Sequence, residues 1–198
     1  MSNFTEEAIC RAFMSLLNEK PISKITVNDI ANRCGINRNS FYYHFSNIPS
    51  LVEAIFEYII NQIIEKHPSI HNVEECVLMI ADFFLDNRQA VLHIYCSANR
   101  SAFEAYLWKM CNREINIYMD TAFNEAGLSQ KNRDSVVLYY QCAVFGVVLG
   151  WLQDGMKDDI HPFISRICKL RSGFSEKMIG RCLEEQNKEE ENSYCFQE

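Results

Sequence analysis

From residue 37 to residue 45 the chain reads Asn-Arg-Asn-Ser-Phe-Tyr-Tyr-His-Phe, a run whose types and spacing suit one kind of chemistry. Phe41 and Phe45, four residues apart, can anchor one face of a helix in a core. Arg38, Asn39, Ser40, Tyr42, Tyr43 and His44 then occupy the opposite face. These are donors for phosphate oxygens and base edges, on an element of the right width for a DNA major groove. Arg suits guanine and Asn suits adenine, so Arg38 and Asn39 are the candidate base readers. Lys24, Thr26, Ser40, Tyr42 and Tyr43 suit phosphates, which position a protein without reading sequence. The blander use stays open, because Tyr42 and His44 would also pack well against a neighbouring helix.

Such a face must be held at a fixed tilt, and the preceding residues supply the means. Thr26 can cap a helix, with Asp29 three residues on in the capping-box position. Ala31 is small where two helices must approach closely. Gly35 offers the positive φ of a sharp turn, and Asn37 can cap the next helix. Residues 27–46 therefore read as a helix-turn-helix.

The rest of the chain reads as helices too. The first starts near Thr5, buries Ile9, Phe13, Leu16 and Leu17, and ends at Pro21. A fourth runs from Asn47 to Lys66, with Leu51, Ile55, Ile59 and Ile63 on its buried side, and Pro68 breaks the pattern. Asn72 and Glu75 open a fifth, Val73 to Leu85, followed by a short sixth around Ala90 to Cys96. The seventh opens at Ser101 and carries Phe103, Leu107, Met110, Ile117 and Phe123 up to Gly127. The eighth covers about Gln130 to Asp154, a ninth starts at Pro162, and a short tenth uses Phe174 to Leu183. Beyond Glu184 the run of glutamates reads as a frayed or disordered tail. Only seven glycines and four prolines punctuate 198 residues, with no glycine between Gly35 and Gly127, which favours an all-α protein.

Val136 to Leu152 is apolar apart from Gln141. It is short of the roughly 20 residues a membrane span needs, so it reads as a buried helix with two covered faces, and no membrane is expected. One face would lie on its own domain and one on a second subunit, where Gly146 and Gly150 let backbones approach. The residues opening the chain read as an amphipathic helix rather than a leader.

The net charge is −7, yet residues 1–50 hold Arg11, Lys20, Lys24, Arg33 and Arg38 against Glu6, Glu7, Glu19 and Asp29, a local +1. DNA affinity follows local charge, so one copy is expected to bind weakly and two copies to bind as a bivalent unit. Nine scattered cysteines without a Cys-x-x-Cys pair read as reduced thiols of a cytoplasmic protein. His67 and His71 are separated by Pro68, and His93 with Cys96 lacks further ligands, so no metal or other cofactor is expected. No nucleophile elbow or phosphate loop occurs, and the chain does not read as an enzyme.

The order Lys24-Ile25-Thr26-Val27, Asp29-Ile30-Ala31, Gly35-Ile36, Ser40-Phe41-Tyr42 and His44-Phe45, with Leu51 following, resembles the tetracycline-repressor (TetR) family of transcriptional regulators. The run Gly146-x-x-x-Gly150-Trp151-Leu152 resembles that family's dimer-forming helix. The resemblance implies a DNA-binding domain over residues 1–66, a regulatory and dimerisation domain over 67–185, and an acidic tail over 186–198. It implies a homodimer joined through helices 8 and 9, with Val144, Gly146, Val147, Gly150, Phe163 and Ile167 at the interface. It further implies repression at a palindromic operator of double-stranded DNA, relieved when a small apolar or aromatic effector moves helix 4. Phe84, Tyr95, Tyr106, Tyr118, Tyr139 and Trp151 are candidates to line the effector site, although each equally suits plain core packing. Two departures stand out: Asn39 where relatives carry a small residue, and Ile48 where they carry a lysine that reaches phosphate. They keep a second reading alive, a helical sensor that acts through protein contacts without specific DNA binding.

Overall fold

The computed structural model describes residues 2–66 and 73–195. Helix α1 spans Ser2–Glu19 and stops ahead of Pro21, after which Ile22–Lys24 form a single 3-10 turn. Then come α2 (Val27–Cys34), α3 (Arg38–His44) and α4 (Ile48–Lys66). The remainder comprises α5 (Val73–Asp86), α6 (Arg88–Tyr95), α7 (Arg100–Phe123), α8 (Gln130–Gln153), α9 (His161–Leu170) and α10 (Phe174–Cys195). No strand occurs among the described residues, and the all-α expectation holds. The expected break at residues 67–71 and the Asn72 cap lie outside the described residues.

Three boundaries differ from the sequence reading. Helix α1 begins at Ser2 rather than near Thr5. Helix α6 begins at Arg88, ahead of Ala90, because Asn18 of α1 reaches across and its Oδ1 accepts from the Ala90 N–H at 3.1 Å. The last helix is long rather than short, running through the expected unstructured tail as far as Cys195. Its polar composition gives little reason for order by itself. What holds it is contact: the Ser129 N–H donates to Gln186 Oε1 (2.9 Å), and Asn132 Nδ2 donates to the Cys182 carbonyl (3.1 Å).

One apolar cluster runs through both halves, from Ile9 and Phe13 of α1 to Ile164 of α9 and Ile179 of α10. Helix α1 lies along α6, and besides the Asn18 link the His93 Nδ1–H donates to the Leu17 carbonyl at 2.7 Å. The first four helices are thus clamped to the body through α6. Helix α7 packs along α8, where buried Gln141 donates to the Trp108 carbonyl and accepts from Asn112, both at 3.0 Å. Pairing of this kind offsets the desolvation cost of the buried amide and so lets it help fix register. The hydroxyls of Tyr118 and Tyr140 meet Ser175 at 3.3 and 2.6 Å, pinning the start of α10. Helix α8 is long and apolar enough by composition to cross a membrane, yet only 44% of its most apolar stretch is buried. Its outer side is left uncovered.

Candidate nucleic-acid interface

The capping box forms as its residues suggest. The Asp29 N–H donates to Thr26 Oγ1 (3.2 Å), and the Thr26 N–H donates to Asp29 Oδ2 (2.8 Å). Those bonds, with Lys20 3.1 Å away, pull the Asp29 carboxyl down to about 2. Helix α2 ends at Gly35 with φ 74°, a left-handed conformation that a Cβ would strain. Asn37 then caps α3 by accepting from the Ser40 N–H at 2.8 Å. Two caps and one glycine thus set the angle between α2 and α3.

Phe41 is fully buried and Phe45 nearly so, with ring centres 5.9 Å apart, and they seat α3 in the core. The other side is open. Tyr43 is 84% exposed and Tyr42 46%, and Lys24, Thr26, Arg38 and Asn39 are exposed. Ser40 is half-buried beneath its cap. Arg38 is braced rather than free, with its Nη2 3.3 Å from the Tyr42 hydroxyl and its guanidinium 5.8 Å from that ring's centre. A braced guanidinium loses less side-chain entropy on meeting a base edge.

His44 departs from the expected groove-facing set. Its Nδ1–H donates to Glu6 Oε1 at 3.1 Å, and its side chain is only 9% exposed. It packs against α1, the use that the sequence left open for it. The local charge is also weaker than the composition suggests, for Arg33 grips Glu19 through both guanidinium nitrogens at 2.8 Å and also Ser15. Lys20 is likewise spent on Asp29. Lys24 and Arg38 stay exposed outside these pairs. Ile48, at the start of α4, is half-buried beside Pro21, Ile22 and Pro49. The α4 N-terminus is capped by Asn47, whose Oδ1 accepts from the Ser50 N–H at 2.8 Å.

The six candidate effector residues do not meet in one place. Phe84 and Tyr106 line a cavity of about 20 Å³ with Phe56, Ile59, Phe103, Leu107 and Met110. That volume holds about one water. Tyr95 stacks edge-on to Phe103, under the Arg100 guanidinium. Tyr118 belongs to the Ser175 cluster, and Tyr139 is half exposed against Phe174. Trp151 donates its indole N–H to the Asp158 carbonyl. Of the interface candidates, Val144 is buried, Val147 and Gly150 are half-buried, and Gly146, Phe163 and Ile167 are exposed. Phe163 and Ile167 join Leu138, Tyr139, Leu170 and Phe174 in a stripe of exposed apolar side chains along α8, α9 and the start of α10.

An exposed recognition face on a capped, glycine-turned helix pair, carried by a helical body, defines a helix-turn-helix regulator. Comparison with known proteins narrows the class. Residues 9–55 match the model of bacterial regulatory proteins of the tetR family, and residues 71–173 match a transcriptional regulator C-terminal region of the same family. The chain belongs to the TetR family of DNA-binding transcriptional regulators. It is 32% identical over 73 residues to the HTH-type regulator YerO of Bacillus subtilis, across 37% of this chain and 24% of that protein. It is 32% identical over 57 residues to EthR of Mycobacterium tuberculosis, across 29% and 26%. It is 26% identical over 87 residues to DhaS of Lactococcus lactis, a dhaKLM operon transcriptional activator, across 44% and 46%. These matches span less than half of each relative's length. A solved structure of a dihydroxyacetone kinase operon activator DhaS superposes with a TM-score of 0.70 over 90% of this chain and 96% of that one. At 18% identity, that likeness concerns the fold.

Two features of weight were missed in the sequence. Glu114 continues the spacing of Leu107 and Met110 on α7 and is buried with them, so a charged residue on an apolar stripe was its signal. Phe56 of α4 stacks on Tyr106 at 4.4 Å, a contact between distant segments that no local pattern announces.

Proposed function

We propose that the protein represses transcription in the cytoplasm by binding a palindromic operator as a homodimer and leaves it when a small apolar or aromatic effector binds the C-terminal body. The observation that carries the reading is the outer face of α3, where Arg38, Asn39, Tyr42 and Tyr43 are exposed while Phe41 beneath is fully buried. Arg38 and Asn39 read bases; Lys24, Thr26, Ser40, Tyr42 and Tyr43 hold phosphates. The uncovered stripe on α8 and α9 supports the dimer, since contiguous apolar surface marks association sites. At Gly146 and Gly150 an added Cβ would meet nothing within 4 Å, so their own fold does not require glycine and a second backbone would. Two recognition helices about 34–36 Å apart would then reach successive turns of duplex. The domains over 1–66 and 67–185 are coupled through α4 and α6, and the effector acts by binding two α4 positions unequally.

A footprint on the region upstream of its own gene tests this, run at several salt concentrations with wild type, Arg38→Ala and Gly146→Glu. Protection that fades as salt rises and is lost in Arg38→Ala supports it. Gly146→Glu should fold, sediment as a monomer and protect poorly. Absence of protection at low salt would favour the protein-contact sensor instead. That second reading draws on the commitment of Lys20 and Arg33 to internal ion pairs and on Ile48.

A further inference from the structure

A groove of about 650 Å³ lies at the seam between the two halves, walled by Pro21, Ile22, Ile48 and Pro49 and by His93 and Cys96 at the end of α6. Its size is that of a small-molecule site, and its lining is mostly apolar. Cys96 is exposed, and His93 stands three residues before it. The His93 Nδ1–H donates to the Leu17 carbonyl at 2.7 Å, so the neutral ring carries its lone pair on Nε2. A nucleophile, a base and a group that orients the base thus belong to one groove. Ser97 beside them is already used, since its Oγ donates to the Ile94 carbonyl (2.7 Å) and accepts from the Asn99 N–H (3.1 Å). Cys10 and Cys111 differ sharply from Cys96. Both are buried, their thiols are pushed up to about 12, and they stay neutral and inert.

We propose that Cys96 is a covalent capture site for small apolar electrophiles bearing a carbonyl-activated carbon–carbon double bond, with His93 as its general base. The thiol proton passes to His93 Nε2 as the sulfur attacks the β carbon of the alkene. The S–C bond forms, the C=C π bond breaks, and its electron pair moves onto the carbonyl as an enolate. The imidazolium then returns the proton to the α carbon, so the adduct is neutral and no group leaves. At the C-terminal end of α6 no helix dipole stabilises an anion, so the base has to act within the step. Ile22, Ile48 and the two prolines offer an apolar substituent surface to cover, and offer a polar electrophile nothing. The groove lies outside the interior of the C-terminal body. It stands apart from the repressor reading and needs no effector there.

Timed labelling of the full chain with N-phenylmaleimide or with maleimide, read at the Cys96 peptide by mass spectrometry, tests the assignment. Rates are taken relative to N-acetylcysteine, which removes the intrinsic difference between the reagents. With N-phenylmaleimide, Cys96 should react at least about tenfold faster than N-acetylcysteine, and with maleimide the advantage should be smaller. His93→Asn keeps an N–H for the Leu17 carbonyl but has no basic nitrogen, and should slow Cys96 at least about tenfold. Ile22→Ser should remove the preference for the phenyl reagent. In wild type, which needs no variant to fold, the Cys96 rate should rise with pH in two steps, one from the imidazole and one from the thiol. A rate no greater than that of N-acetylcysteine, equal relative rates for the two reagents, a rate unmoved by His93→Asn, a preference that survives Ile22→Ser, or a single rise with pH would each overturn it. The labelling contains no DNA and the footprint contains no maleimide, so failure of one leaves the other standing.

Discussion

The helix-turn-helix and the C-terminal body treat their polar groups in opposite ways. Around α2 and α3, Thr26, Asp29, Asn37, Arg33 and His44 all find partners within a few residues or on α1. The body keeps one buried carboxylate oxygen unmatched and leaves a stripe from Leu138 to Phe174 uncovered. The contrast teaches that the N-terminal part, the reading head, meets its polar groups locally, while the body leaves a buried carboxylate oxygen and exposed apolar side chains unmatched within its own fold.

The contrast breaks most sharply at α3, where one turn carries residues of opposite duty. Phe41→Ala should cost about 3–5 kcal/mol, because a fully buried ring leaves a cavity. Tyr43→Ala should change stability by less than about 0.5 kcal/mol yet weaken operator binding. Urea unfolding and the retardation assay separate the two. A large stability loss at Tyr43 would mean that its ring is not the free contact surface described.

Next in size is Glu114. Since burial raises its pKa, the unfolded chain gives up this proton more readily, and the folded state is penalised above the ordinary value of 4.5. Glu114→Met should therefore stabilise the protein at neutral pH by about 1–3 kcal/mol. The gain should shrink as pH falls from the raised folded value towards 4.5 and be gone below it. A destabilised variant at pH 7.5 would show that the carboxylate is satisfied after all, erasing the distinction between the two regions.

What the sequence made legible follows from this same division. The reading head is built from contacts three and four residues apart, so Thr26–Asp29, Gly35 and Asn37 could be read directly as caps and a turn. The ends of α5, α7 and α8 fell close to expectation for the same reason, since period and caps agree there. His44 misled because its partner, Glu6, is 38 residues away and helical spacing alone cannot say which side of α3 meets α1. The aromatics of the body misled in another way. Their composition suggested one lined chamber, but Tyr118, Tyr139 and Trp151 are held at other places by Ser175, Phe174 and Asp158. Order in α10 was illegible because Gln186 and Asn132 stabilise it from a distance, against its own composition.

The capping box gives a smaller effect. Thr26→Ala should cost about 1 kcal/mol by removing a side-chain cap, and should also change acid behaviour. The Asp29 carboxyl is depressed, so its contribution is present above the ordinary 3.8 and is lost as pH falls towards about 2. In Thr26→Ala that acid-labile part should largely vanish from urea midpoints measured between pH 5 and pH 2. An unchanged acid profile would assign the depression to Lys20 instead.

The smallest effect belongs to the body's surface, where His161 bridges two elements. Its Nε2 lies 2.8 Å from Asp82 of α5 and its Nδ1 2.5 Å from Asp159 just before α9. The bond to Asp159, then that to Asp82, raises the imidazole above its ordinary 6.5. The folded chain thus holds this proton more tightly than the unfolded one. The bridge contributes fully below 6.5, and its contribution disappears as pH rises through the raised value. The side chains are 36–65% exposed, so solvent screening limits the effect to less than about 1 kcal/mol. His161→Asn should therefore lower the urea midpoint slightly at pH 5.5 and leave it unchanged at pH 9. A deficit that persists at pH 9 would make His161 a packing residue rather than a charge bridge, and would mean that the body, like the reading head, depends on close local contacts there.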